Sequence, residues 1–137
     1  DMLTDIPGVS AILLAGVVSY SNESKIDLLG VPAELISQHG AVSEPVCAAM
    51  AIGVRERSGA ALGIGITGIA GPSGATPVKP VGLVYIGLSH LGAGGVKVLV
   101  ERHQFTGDRR MVKVRAARQA LVMLRDHVLL GPQEGVT

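Results

Sequence analysis

Thr67-Gly68-Ile69-Ala70-Gly71-Pro72-Ser73-Gly74-Ala75-Thr76-Pro77 decides how this chain is read. It follows an apolar run, Ala60-Ala61-Leu62-Gly63-Ile64-Gly65-Ile66, which reads as a buried strand. A buried strand that opens into a loop of glycine, proline and small hydroxyls is how an open α/β sheet builds a ligand site at a strand's carboxyl end. Glycine lets the backbone approach a ligand closely and aim its amides at phosphate. The same composition also suits a plain connection between two strands, so the loop by itself leaves both readings open.

Working outward, residues 10–19 (SAILLAGVVS) predict a strand buried on both faces, as in a mostly parallel sheet. The chain then turns polar at Tyr20. Ser21 or Asn22 can cap a short helix over 23–29, stopped by Gly30 and Pro32. Pro32 opens a second short helix over 33–38, with Gly40 as its stop. Ser43 caps a longer helix that runs to about Ser58. Its apolar face holds Val46, Cys47, Met50 and Val54, while Arg55, Glu56 and Arg57 crowd an exposed end. Beyond the glycine loop, strands over 81–89 and 96–105, joined by a loop at 90–95, predict antiparallel neighbours. The second should lie at or near an edge, because its side chains alternate in polarity. The last element is a helix over 108–130 with Val114, Ala117, Leu121, Leu124 and Val128 as its core stripe. Arg109, Arg110, Lys113, Arg115 and Arg118 load its first half with positive charge, against the preference of the helix dipole. That is either a solvated surface or an anion site facing the glycine loop.

The 137 residues fit one domain, and 47% hydrophobic against 17% charged leaves no case for disorder. Aromatics at 2% argue against single-stranded nucleic-acid binding, which leans on stacking platforms. A net charge of +1 implies no nucleic-acid partner by electrostatics. One cysteine, Cys47, excludes an internal disulfide and a multi-cysteine metal site, and reads as a small buried hydrophobe. No apolar run is long enough to span a membrane, and the cysteine usage fits a cytoplasmic setting. Met2 and Leu3 read as the tail of a helix ending at the Pro7-Gly8 turn, so a strand and most of a helix are expected ahead of Asp1. Residues 1–131 form the predicted domain and 132–137 a tail.

Five motifs occur in order: Tyr20-Ser21-Asn22-Glu23-Ser24-Lys25, His39-Gly40-Ala41-Val42-Ser43-Glu44, Thr67-Gly68-Ile69-Ala70-Gly71-Pro72, Lys79-Pro80-Val81-Gly82 and Gly107-Asp108-Arg109. Together they closely resemble the C-terminal domain of the competence/damage-inducible protein CinA, the nicotinamide-nucleotide amidohydrolase family. The resemblance covers nearly the whole chain. It implies an α/β fold with a mixed, mostly parallel sheet between helices, self-association, and no cofactor or metal. It also implies hydrolysis of the carboxamide of nicotinamide mononucleotide to nicotinic acid mononucleotide and ammonia.

Amide hydrolysis needs a nucleophile, a base to activate it and donors for the developing oxyanion. The resemblance makes Lys25 the base of a serine–lysine pair and Tyr20 a residue that assists proton movement or orients the pair. A lysine serves as base only when neutral, so burial or neighbouring cations must lower its pKa. By the same resemblance Thr67, Gly68, Ala70 and Gly71 hold the substrate, and Arg109 meets the nucleotide phosphate with its rigid fork. The family's nucleophile lies in a Glu-Ser-Cys-Thr-Gly-Gly motif just before the position matching Asp1, and this chain has no such motif. Ser24 is adjacent to Lys25 and does not share its helical face; Ser21 meets it only if the turn is helical from the start. A chain beginning at Asp1 should then be unable to hydrolyse the amide. Two other readings remain: a nucleotide-binding module without catalysis, perhaps half of a larger competence-type protein, and a scaffold that binds an acidic partner through the basic final helix.

Overall fold

Glycines and capping side chains set the element boundaries. A computed structural model of the chain describes residues 2–132. After a short 3-10 turn at Val9–Ala11, the described order is α1 (Asn22–Leu29), α2 (Ala33–His39), α3 (Glu44–Ser58), β1 (Leu62–Gly68), β2 (Leu83–Gly92), β3 (Gly95–Gln104) and α4 (Arg109–Leu130). The Ser21 hydroxyl accepts from the Ser24 amide and the Ser24 hydroxyl from the Ser21 amide, a reciprocal box that starts α1. Gly30 and Gly59 stop α1 and α3 in the left-handed region, at φ 69 and 70. The Asp108 carboxylate caps α4 by accepting from the Met111 amide at 2.9 Å.

The described strands form one sheet in the order β1-β2-β3, and both pairs are antiparallel. Ile66 lies opposite Ile86, and Ile86 opposite Glu101. The α/β class holds, with helices on both faces. The mostly parallel sheet does not: the excursion 69–82 contains no helix to carry the chain across a face, so β2 returns alongside β1 in the opposite sense. The predicted hairpin of the last two strands is present and tighter than expected. Both strands run on to a turn at Ala93-Gly94, closed by the pair Gly92 and Gly95.

α3 lies on one face of the sheet, with α1 and α2 packed outside it. Gly63 and Gly65 make that approach possible: a Cβ at Gly63 would fall 2.3 Å from the Ala51 carbonyl oxygen. On the other face Val84, Ile86 and Leu88 pack against Val112, Ala116, Ala120 and Met123 of α4. The predicted stripe on α4 is therefore rotated. Val114, Ala117, Leu121 and Leu124 are half-buried flanks and Val128 is exposed. Alanines carry the real contact because a small residue lets the helix axis approach the sheet.

Three further expectations are corrected. Among the described residues, 10–19 pair with no strand; Ile12, Leu14, Val17 and Val18 are exposed, Val18 at 86%. Met2 and Leu3 lie in a turn rather than a helix. Arg55 is not at an exposed end; it is buried and donates from Nε to the Ser89 hydroxyl at 3.1 Å. Of the expected tail 132–137, all but Pro132 lies outside the described residues. No helix among the described residues is long and apolar enough to cross a membrane.

Candidate functional site

Lys25 sits in the middle of α1, and packing of that helix against α3 turns it inward. It is 7% exposed, and Nζ donates to the Ser19 carbonyl at 2.6 Å. Burial lowers its pKa from the ordinary 10.5, since desolvation penalises the charged amine. No carboxylate pairs with it among the described residues; its one recorded partner is a neutral carbonyl. Desolvation thus disfavours the charged amine, while the carbonyl it donates to works the other way.

Tyr20 is exposed, and its phenol oxygen accepts from Arg109 at 3.3 Å. The other arm of the Arg109 fork donates to the Gly71 carbonyl at 2.9 Å. One guanidinium at the start of α4 thus ties the glycine loop to the end of the 13–20 segment. The Thr67 hydroxyl is turned toward the α2–α3 connection and donates to the Ala41 carbonyl at 2.8 Å. Lys79, from the far side of the glycine loop, donates through Nζ to the His39 carbonyl. Each of the five motifs therefore touches another of the five. They converge at the carboxyl end of β1 from five separate parts of the chain.

Gly68 and Ala70 line a cleft of about 240 Å³ between β1 and α4, walled by Ile66, Val84, Val112 and Ala116. Lys113 stands at this cleft, one turn along α4 from Arg109. The motif reading did not single it out, although its charge and its spacing from Arg109 were visible. Gly71 has φ 82, and a Cβ there would fall 2.6 Å from the Val81 side chain, so the loop conformation excludes other residues. A larger cleft of about 370 Å³ between α1, α2 and α3 is lined by Leu29, Pro32, Leu35, Ile52 and Gly53. It holds none of the predicted site residues.

The nucleophile is a separate matter. Both serines near Lys25 are engaged in the helix cap, and the Ser24 hydroxyl also donates to the Ser21 carbonyl at 2.8 Å. Neither is a recorded partner of the Lys25 amine. Cys47 is buried, donates weakly to the Gly65 carbonyl, and burial pushes its thiol up to about 12, so it is no nucleophile at neutral pH. Among the described residues, then, no hydroxyl is hydrogen-bonded to the buried Lys25 amine.

The chain is similar to known proteins along nearly its whole length. The family model of the CinA C-terminal domain matches residues 1–128. A CinA-like protein of Anaeromyxobacter sp. (strain K) is 52% identical over 125 residues, 91% of this chain and 30% of that protein. Another, of Chlorobaculum tepidum, is 52% identical over 120 residues, 87% of this chain and 28% of that protein. The chain thus spans under a third of the length of these curated relatives. Among solved structures, the competence/damage inducible protein CihA of Agrobacterium tumefaciens superposes with a TM-score of 0.83 at 39% identity, covering 90% of this chain and 73% of that one. A CinA superfamily protein of Escherichia coli gives 0.82 at 32% identity, covering 90% and 69%. The matching family model, the shared fold and the half-identical sequence leave one assignment: the chain belongs to the CinA C-terminal domain family.

Proposed function

We propose that this chain carries the general base and the substrate cradle of a nicotinamide-nucleotide amidase, acting in pyridine nucleotide salvage. The observation that supports it is Lys25: a buried amine, unpaired by any carboxylate among the described residues, at the convergence of five motifs. In this reading the neutral Lys25 amine takes the proton of a serine hydroxyl as that oxygen attacks the carboxamide carbon. The proton passes to the departing nitrogen, ammonia leaves, and water then releases nicotinic acid mononucleotide from the acyl serine. The reading requires that serine to come from outside these 137 residues, since neither serine near Lys25 is a hydrogen-bond partner of its amine. The Gly68, Ala70 and Gly71 backbone faces the nucleotide, and Arg109, which holds the loop against Tyr20, meets the phosphate. The partner is a small nucleotide, and copies of the chain associate with one another.

The full-length protein should release ammonia from nicotinamide mononucleotide, and Lys25→Ala should lower that rate by at least about 10²-fold, the usual worth of a positioned base. Absence of ammonia from the unaltered full-length protein overturns the reading.

A second reading rests on the locked serines: with no free hydroxyl recorded beside Lys25, the domain binds a nucleotide without turning it over. It predicts nucleotide affinity indifferent to Lys25→Ala and no turnover.

A further inference from the structure

Among the described residues, β3 has a strand on one side only. The Phe105 amide, just past its end, donates to the Gly82 carbonyl at 2.8 Å, toward β2. Strand alternation therefore points the amides of Leu99, Glu101 and His103 at β2, and those of Val96, Val98, Val100 and Arg102 off the free edge. The two faces of β3 differ in chemistry. Val98 lies opposite Ser89, which bonds Arg55 of α3, so Val96, Val98 and Val100 share the α3 face. Val96 is 44% exposed and Val98 38%. Lys97 lies opposite His90, whose ring meets His127 of α4, and Glu101 accepts from Gln119 of α4, so both charges stand on the α4 face. A free edge is normally blunted with charge, and Lys97 is such a charge. Glu101, further along the same face, is its opposite in sign. The bonds Glu101 makes with His103 and Gln119 both use Oε2, and Oε1 has no donor among the described residues.

We infer that a second copy of this chain docks on the free edge of β3, strand against antiparallel strand, about a two-fold axis at Leu99. Outward-facing residues must lie opposite outward-facing ones, so such an axis falls on a residue and never between two. Of the registers this allows, the axis at Leu99 alone sets Lys97 opposite Glu101 of the second copy, and symmetry makes that pair twice. An axis at Lys97 or at Glu101 sets like charges together instead. The Leu99 register also brings Val98 against Val100 of the second copy and lays the Arg102 stem along its Val96, which covers the exposed valines. The two sheets become one. The inference names the surface for the self-association proposed above and rests on that part of the reading, not on the amidase chemistry: β2 separates the contact from β1 and its motifs.

The test is charge reversal in the full-length protein, read by sedimentation. The unaltered protein should be a dimer. Lys97→Glu and Glu101→Lys each set like charges across the seam twice and should raise the dimer dissociation constant at least about tenfold. An equal mixture of the two variants should form a dimer again, because the two altered residues then face each other and the native pair survives beside them. Amide exchange on the unaltered protein needs no variant to fold: Val98 and Val100 should exchange at least about 100-fold more slowly in the dimer than after dilution to monomer. A protein that is monomeric at millimolar concentration overturns the inference. A dimer that neither reversal weakens overturns it and places the association on another surface. Variants that come apart and do not dimerise when mixed overturn the register. Protection of Val98 and Val100 at every dilution overturns the second copy in favour of a strand from the same polypeptide. A dimer that passes these tests and releases no ammonia from nicotinamide mononucleotide keeps the contact and discards the amidase.

Discussion

Lys25 is held at a cost that can be measured. Burial disfavours its charged form, so the folded chain binds fewer protons than the unfolded chain between the lowered pKa and the ordinary 10.5. Stability therefore rises with pH across that window, and below it the charged amine is a burden. Lys25→Met, which fills the same space without charge, should raise the melting temperature at pH 7. The gap between the two proteins should narrow toward pH 10; a gap that widens with pH would show that the amine stabilises the fold. Ser89 presents the opposite case. It is fully buried, and its hydroxyl accepts from the buried Arg55 guanidinium, whose other arm reaches Glu56 at 3.3 Å. Ser89→Ala leaves a charged donor without its partner and should cost about 1–3 kcal/mol in urea denaturation. A loss within the error of the measurement would mean that water replaces the hydroxyl.

Among elements, the seating of α1 on α3 decides whether Lys25 is dry. The contact turns on Gly53, where an added Cβ would fall 1.8 Å from the Leu29 carbonyl oxygen. That oxygen belongs to the last residue of α1, so no flexible side chain can yield. Gly53→Ala should displace α1, cost about 3 kcal/mol, and re-expose the amine. The readout is the lysine pKa by NMR, which should move back toward 10.5. An unmoved pKa would show that α1 is positioned from elsewhere. α1 itself is well specified locally, because its box and its glycine stop act within its own few residues.

For the molecule as a whole, α4 closes one face of the sheet, and near its last turn His127 meets His90 of β2 with ring centroids 4.5 Å apart. The His127 pKa lies below the usual 6.5, through burial first and the neighbouring His90 second. A histidine depressed in the folded state contributes stability that is complete above 6.5 and is lost as pH falls below it. The urea midpoint should therefore drop between pH 7.5 and pH 5.5, and His127→Gln should flatten that drop. An equal drop in the variant would assign the acid sensitivity to other groups. This end of the sheet lies away from the five motifs, since His90 pairs with Leu62 at the start of β1.

What the chain discloses without coordinates is whatever its near neighbours decide. The stops at Gly30 and Gly59 and the hairpin around Gly94 are settled within a few residues and were legible, and the cap of α1 was narrowed to Ser21 or Asn22. The family and its motifs were legible too, because motif order survives without coordinates. Only the folded chain decided which side of α4 meets the sheet, since apolar residues lie on several of its faces and β2 selects the alanines. It alone buried Arg55, by bringing Ser89 to it from 34 positions away. It alone set β1 antiparallel to β2 and left residues 10–19 outside the described sheet. Strand pairing is a contact between distant segments: an apolar run can announce that it belongs in a sheet, but which strand lies beside it is decided by the rest of the fold.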